Sequence, residues 1–358
     1  MSKNFKLGKY QISKSSCPIF LSEIGAFFGK DLSLAFKMIS EISKISKKNS
    51  SQPLLLKTEI IHNKEICLKD SLVETYISRS GKKKSESYRK IVERRTISLK
   101  DYEKIFDFCK RKSLGVIVSV YDEEGVKLAV KNKVVALKIA SFNIINYPLI
   151  NYCSKQKIPI LIDTGRSTLS EVAKAVELIK SNGENRIIIQ HSPDGHPAHP
   201  RNHNLRILET YKNTFGLHTG LSDHYIGNEM LYMSIALNAK ILEKGMYTDT
   251  SELEHDISFT SEISELDKIL KNIYNCWLAM GKPLRNIKDK IYGNKGTSQR
   301  HCIVAGKNLN VGDSITKSNV YFAFPSRGIS VEYFYLISKW KLNKAKKKGE
   351  PIQWDDIK

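Results

Sequence analysis

The chain has 358 residues, 41% of them hydrophobic, with 58 Lys and Arg against 37 Asp and Glu and a formal charge of +21. That length suits one large domain of about 250 residues with a small second one, and no uncharged apolar run approaches the roughly 20 residues of a membrane span. Lysine is spread along the whole chain rather than gathered with aromatics, so the surplus charge favours solubility and attraction of a small anion over nucleic-acid binding.

Eight short apolar runs follow in chain order: PIFLSEIG (18–25), PLLLKTEI (53–60), LGVIVSVYD (114–122), VVALKIASF (134–142), IPILIDTG (158–165), RIIIQHS (186–192), LHTGLSDH (217–224) and AKILEKGM (239–246). Between most of them lie segments with helical spacing, such as LSLAFKMISEISKI (33–46), LSEVAKAVELIKS (169–181) and EMLYMSIALNA (229–239). Eight strand–helix units predict a parallel (β/α)8 TIM barrel. A doubly wound open sheet is the alternative, because periodicity alone does not close a barrel.

Each run ends in something polar. In order these are Glu23, Lys57, Ser119, Lys138, Asp163 with Thr164, His191, Asp223 with His224, and Glu243 with Lys244. In a barrel of this kind the C-terminal strand ends meet at one mouth, where the chemistry sits. Carboxylates and lysines in that succession point to an anionic substrate. Lys57 and Lys138 at one mouth would repel unless a dianion such as phosphate lay between them.

Two regions break the rhythm. Residues 62–97 make an unusually long connection, expected to be a lid or binding loop. Residues 283–299 read as a linker between a barrel domain (1–282) and a small β-rich domain (300–358). The N-terminal MSKNFKLGKYQISKSS lacks the apolar centre of a signal peptide, and the six cysteines have no paired spacing. Reduced thiols in a cytoplasmic protein fit that pattern.

Six of the nine histidines fall between His191 and His224. His191 ends a strand and is expected at the mouth, whereas His199 and His203, in a proline-punctuated loop, are expected to be exposed. Asp223 reads as catalytic or as the carboxylate that orients His224. Glu243 and Lys244 read as site residues or as an internal ion pair.

With these pieces assembled, the chain resembles the sialic acid synthases, the nonulosonic acid synthase family. The likeness is carried by SEIG (22–25), the lysine of LLLKTE (54–59), LKIASFNIINYPLI (137–150), DTGRSTLSEVAKAV (163–176), NLRILETYKNTFGLHTGLSDHYIG (204–227) and ILEKG (241–245). CIVAGKNLNVGDSITKSNV, with GIS, resembles the antifreeze-like (SAF, β-clip) domain of those enzymes. The resemblance implies a TIM barrel with that domain behind it, a domain-swapped homodimer, a divalent metal such as manganese, and condensation of phosphoenolpyruvate with an open-chain amino sugar. It implies that Lys57, Lys138 and Ser141, with Ser222, grip phosphoenolpyruvate and that Glu23 faces the developing charge. Thr164 and Asp194 join the substrate-binding set, and His224 matches one metal ligand.

The departures from the family lie in the site. Phe27 and Phe28 stand where the family reads Asn-His, and Gly245 stands where it has a second metal histidine. Asn143 replaces a carboxylate, Asp163 a serine and His196 a tyrosine. In the small domain Phe324 replaces an arginine, with Arg327 three residues on. His196, with Asp194 or Asp163, is the expected substitute metal ligand. The acceptor side is less polar, which suggests a deoxy, more apolar sugar. The competing functional reading is a barrel that lost its chemistry and binds phosphoenolpyruvate or a sugar in a regulatory role.

Overall fold

The computed structural model of the protein describes residues 4–70, 72–78, 80–248, 255–284 and 299–358. The chain divides into two units, Met1–Gly281 and Lys282–Lys358. All of the expected linker except residues 283, 284 and 299 lies outside the described residues.

In the first unit a hairpin of β1 (Phe5–Leu7) and β2 (Tyr10–Ile12) precedes β3 (Ile19–Gly25) and β4 (Leu54–Glu59). A second hairpin, β5 (Val73–Ile77) and β6 (Lys83–Ser87), lies inside the long connection. Then come β7 (Val116–Ser119), β8 (Ala136–Ile139), β9 (Ile160–Asp163), β10 (Ile187–His191), β11 (His218–Asp223) and β12 (Ile241–Tyr247). Parallel pairing runs β3–β4–β7–β8–β9–β10–β11–β12 and returns to β3, so the sheet closes. That closure makes the fold a TIM barrel and sets the open-sheet alternative aside.

Helices cover the outside: α1 (Leu32–Lys48), α2 (Tyr88–Arg95), α3 (Leu99–Arg111), α4 (Glu123–Lys131), α5 (Tyr147–Ser154), α6 (Leu169–Ser181), α7 (Ile207–Phe215), α8 (Glu229–Ala236) and α9 (Leu266–Met280). Their starts are written in the sequence. Thr168 accepts from the Glu171 amide while the Glu171 carboxylate accepts from the Thr168 amide, a reciprocal cap at the head of α6.

Strand periodicity sorts the barrel interior into layers. Ile19, Leu21, Leu55, Ile117, Ala136, Leu161, Ile188 and Ile241 form an apolar floor, sealed from below by Leu7 and Ile12 of the β1–β2 hairpin. Lys240 fastens the chain beneath it, donating to the carbonyls of Lys14 at 2.8 Å and Ser16 at 3.1 Å. One pleat further toward the C-terminal ends, inward positions become polar. Among the described residues no helix is long and apolar enough to cross a membrane.

The second unit pairs β14 (Cys302–Ala305) antiparallel with β15 (Val320–Ala323); a two-residue strand, β13 (Ser261–Glu262), precedes them in the first unit. Isolated bridges such as Val304 to Pro351 and Leu309 to Lys346 tie its loops together. Its core includes Ile303, Leu309, Ile315, Ile329, Leu342 and Ile352.

Candidate active site

A cavity of about 640 Å³ opens at the C-terminal ends of the barrel strands. Glu23, Lys57, Ser119, Lys138, Ser141, Asp163, Ser222, His224 and Glu243 line it, together with His196 from the proline-rich loop. These side chains come from seven strands or the turns just beyond them, as the barrel topology requires.

The two lysines do not face each other unshielded. Lys57 donates to Glu23 in a very short contact and to Glu59 at 3.0 Å, and Glu243 stands 3.7 Å away. Lys138 donates to both oxygens of Glu243 at 2.8 Å, and its ammonium lies 3.0 Å from Asp163 and 3.4 Å from the Ser222 hydroxyl. Four carboxylates therefore offset the repulsion for which the sequence suggested a bound dianion. Burial works against charge on both lysines, but the carboxylates outweigh it and hold both above the ordinary lysine value.

The carboxylates divide into two kinds. Glu59, Asp163 and Glu243 are held below their ordinary range, the lysines overcoming the cost of burial. For Glu23 burial wins despite Lys57, and its pKa is pushed up to about 7. This group exchanges a proton near neutral pH.

Several expected site residues lie elsewhere. Asp223 is buried outside the cavity, accepting from Lys244 at 2.9 Å with the His203 ring 3.4 Å away. Lys244 thus pairs with Asp223 and not with Glu243. His191 turns away from the mouth toward the His203 carbonyl, 2.6 Å off. His203 is itself buried, so its expected exposure is overturned, whereas His199 is exposed. Alternation explains Asp223, Lys244 and His191: with Ile188, Gly220 and Ile241 on the inner face, Gln190, Ser222 and Glu243 point inward and their neighbours outward. Asp194 is exposed and paired with Arg166, outside the cavity lining. Thr164 is buried below the mouth and its amide donates to the Gln190 carbonyl at 3.0 Å. Arg327 is an exposed residue of the second unit.

Gly165 explains how Ser141 is placed. Its φ is +43°, and a Cβ there would stand 2.5 Å from the Ser141 Cβ. Only glycine lets the two loops approach this closely.

The donor set does not fit the expected metal. The rings of His196 and His224 pack against each other, centroids 4.7 Å apart and tilted by 39°. A Cβ on Gly245 would meet Thr260 Cγ2 at 2.4 Å and the Phe27 ring at 3.3 Å, so the space of a second ligand is filled. Among the described residues no three His, Cys, Asp or Glu side chains form a group able to hold an ion. His224 is kept neutral by burial, its pKa lowered to about 3.

Further residues complete the lining. Arg95 at the end of α2 donates to Asp256 at 2.8 Å, and Asp256 lies 2.6 Å from His255 Nδ1. The Tyr121 ring stacks on Phe142 with centroids 5.5 Å apart, and burial, with the Glu59 carboxylate adding to it, holds its hydroxyl well above the ordinary tyrosine value. The long connection contributes Ile66, Leu68, Leu72, Ile91 and Val92 to the wall, beside Ile61 just before it. Its length was the only sign in the sequence that it would reach the site.

A closed barrel with a polar upper layer, followed by a small β-rich unit, defines the class. The chain belongs to the NeuB family, whose model matches residues 54–285, and a SAF domain model matches residues 300–358. It is 23% identical to the pseudaminic acid synthase of Helicobacter pylori over 95% of this chain and 98% of that one. It is 22% identical to the N,N'-diacetyllegionaminic acid synthase of Legionella pneumophila over 100% of this chain and 99% of that one. The crystal structure of N-acetylneuraminic acid (sialic acid) synthetase from Leptospira borgpetersenii in complex with citrate matches with a TM-score of 0.70 at 22% identity, covering 82% of this chain and 95% of that one.

Proposed function

We propose that the chain condenses phosphoenolpyruvate with an N-acylated hexosamine, giving a nonulosonic acid and phosphate. The observation that carries this reading is the meeting of Glu23, Lys57 and Lys138, from β3, β4 and β8, in one cavity. The names of the relatives support the general class of reaction.

On this reading Lys57 and Lys138 hold the phosphate and carboxylate of the donor, and Ser141 and Ser222 add neutral hydrogen bonds. The methylene carbon of the donor bonds to the aldehyde carbon of the open-chain sugar. Water adds to the carbon that carried the enol oxygen, phosphate leaves, and a keto acid remains. Glu23, half-buried and titrating at about 7, gives or takes the proton these steps require. The residues present do not fit a divalent ion, so no step is assigned to one. A homodimer and a deoxy acceptor belong to the same proposal.

Purified protein incubated with phosphoenolpyruvate and a panel of hexosamines, with and without manganese, tests it. Release of phosphate together with an α-keto acid is expected. A second reading, a barrel that binds phosphoenolpyruvate without turnover, is favoured by the filled space beside Gly245 and by the lack, among the described residues, of three donors grouped to hold an ion. Thermal stabilisation by phosphoenolpyruvate without phosphate release from any acceptor would establish it instead.

A further inference from the structure

The two sides of the cavity differ in chemistry. The barrel side presents the ion-paired lysines and hydroxyls; the side built by the long connection and the β8 turn is largely apolar. Ile61, Ile91 and Val92 form its inner wall, and Leu68, Leu72 and Phe142 its rim. Leu68 and Leu72 are each 81% exposed and Phe142 is 69% exposed, large apolar side chains at the border of a charged floor. Of the charged groups on this side, Arg95 is engaged with Asp256 and Glu59 with Lys57, and Asp70 stands at the rim between Leu68 and Leu72 in sequence.

A sugar hydroxyl placed against Ile61, Ile91 and Val92 would lose water and gain no partner, whereas an alkyl chain gains with every carbon it buries there. The wall is continuous with the floor on which the donor is held in the reaction proposed above. We infer that the wall is an acyl subsite, and that the acceptor's amide carries an aliphatic chain longer than acetyl. This inference rests on that reaction and specifies its acceptor.

Calorimetry with hexosamines carrying acetyl, butanoyl and hexanoyl amides tests it directly on the full-length protein, alongside phosphate release from phosphoenolpyruvate with each. Affinity is expected to rise up to about fourfold per added methylene until the wall is covered, with kcat/KM following. The Leu68→Ser/Leu72→Ser variant, altered only at exposed positions, is expected to flatten the series. A wild-type series that is flat or falls with chain length, absence of binding included, overturns the inference. Turnover of the acetyl compound with poorer longer chains overturns the subsite and leaves the reaction standing. Phosphate release from none of them overturns the reaction, and the binding series alone then decides the subsite. Should the variant change the sedimentation of the protein while leaving the series unchanged, the wall covers a second copy and the inference falls.

Discussion

Lys138 and Glu243 are joined across the barrel interior, the ammonium on β8 donating at 2.8 Å to both carboxylate oxygens on β12. Gln190 on β10 donates to the same carboxylate at 2.9 Å. The pair is a crossbar between non-neighbouring strands, and both partners are almost wholly shielded from water. Lys138→Met leaves Glu243 and Asp163 without their main counter-charge, which is expected to cost about 3–5 kcal/mol in urea unfolding. The double variant Lys138→Met/Glu243→Leu should recover much of that loss, because the uncompensated charge goes with it.

Stability should also depend on pH in two opposed ways. Glu23, with its ordinary value of 4.5 raised to about 7, holds in the folded state a proton that the unfolded chain has released. Its contribution is therefore present below the ordinary value and is lost as pH rises through that window. Glu59, Asp163 and Glu243 act in reverse: their stabilisation is present above the ordinary carboxylate range and disappears as pH falls below it. Between about pH 5 and pH 8 the neutral, buried His224 adds a rise common to both proteins, so urea midpoints should climb more steeply with pH in Glu23→Gln than in the wild type.

Gly165→Ala is expected to destabilise the protein by about 1–3 kcal/mol, since it meets both a left-handed backbone and the Ser141 side chain. Because the displaced group is Ser141, phosphoenolpyruvate binding measured by calorimetry should weaken even where the variant folds.

Restoring a histidine at position 245 should not restore a metal site. Gly245→His drives a Cβ against Thr260 Cγ2, 2.4 Å away, and is expected to lower stability by about 1–3 kcal/mol. Pairing it with Thr260→Ser removes that methyl and should recover part of the loss. Manganese should leave the melting temperature of Gly245→His unchanged, because Phe27 still occupies the space beside it.

Strand positions were legible because each apolar run is short and ends in charge, and eight such runs close into a barrel. Facing was the harder matter. Where two polar residues stand side by side, as with Ser222 and Asp223 or Glu243 and Lys244, only a period-two count from Ile241 or Gly220 tells which enters the barrel. That count was available in the sequence and places Gln190, not His191, inside. Tyr121 continues the inward parity of Ile117 and Ser119, whereas Arg95 and Asp256 come from connections with no period, and only tertiary packing brings them to the mouth. The same holds for His203, which a loop of prolines and polar residues made look exposed.

The β1–β2 hairpin has a kinetic consequence. With Leu7 and Ile12 stoppering one end, traffic to the lysines passes through a single doorway. On the proposed reaction the molecule held deepest must arrive first, and inorganic phosphate, formed beneath the finished sugar acid, must depart last. Added phosphate should then compete with phosphoenolpyruvate but not with the sugar, a queue imposed by eight residues at the opposite end of the barrel from the chemistry.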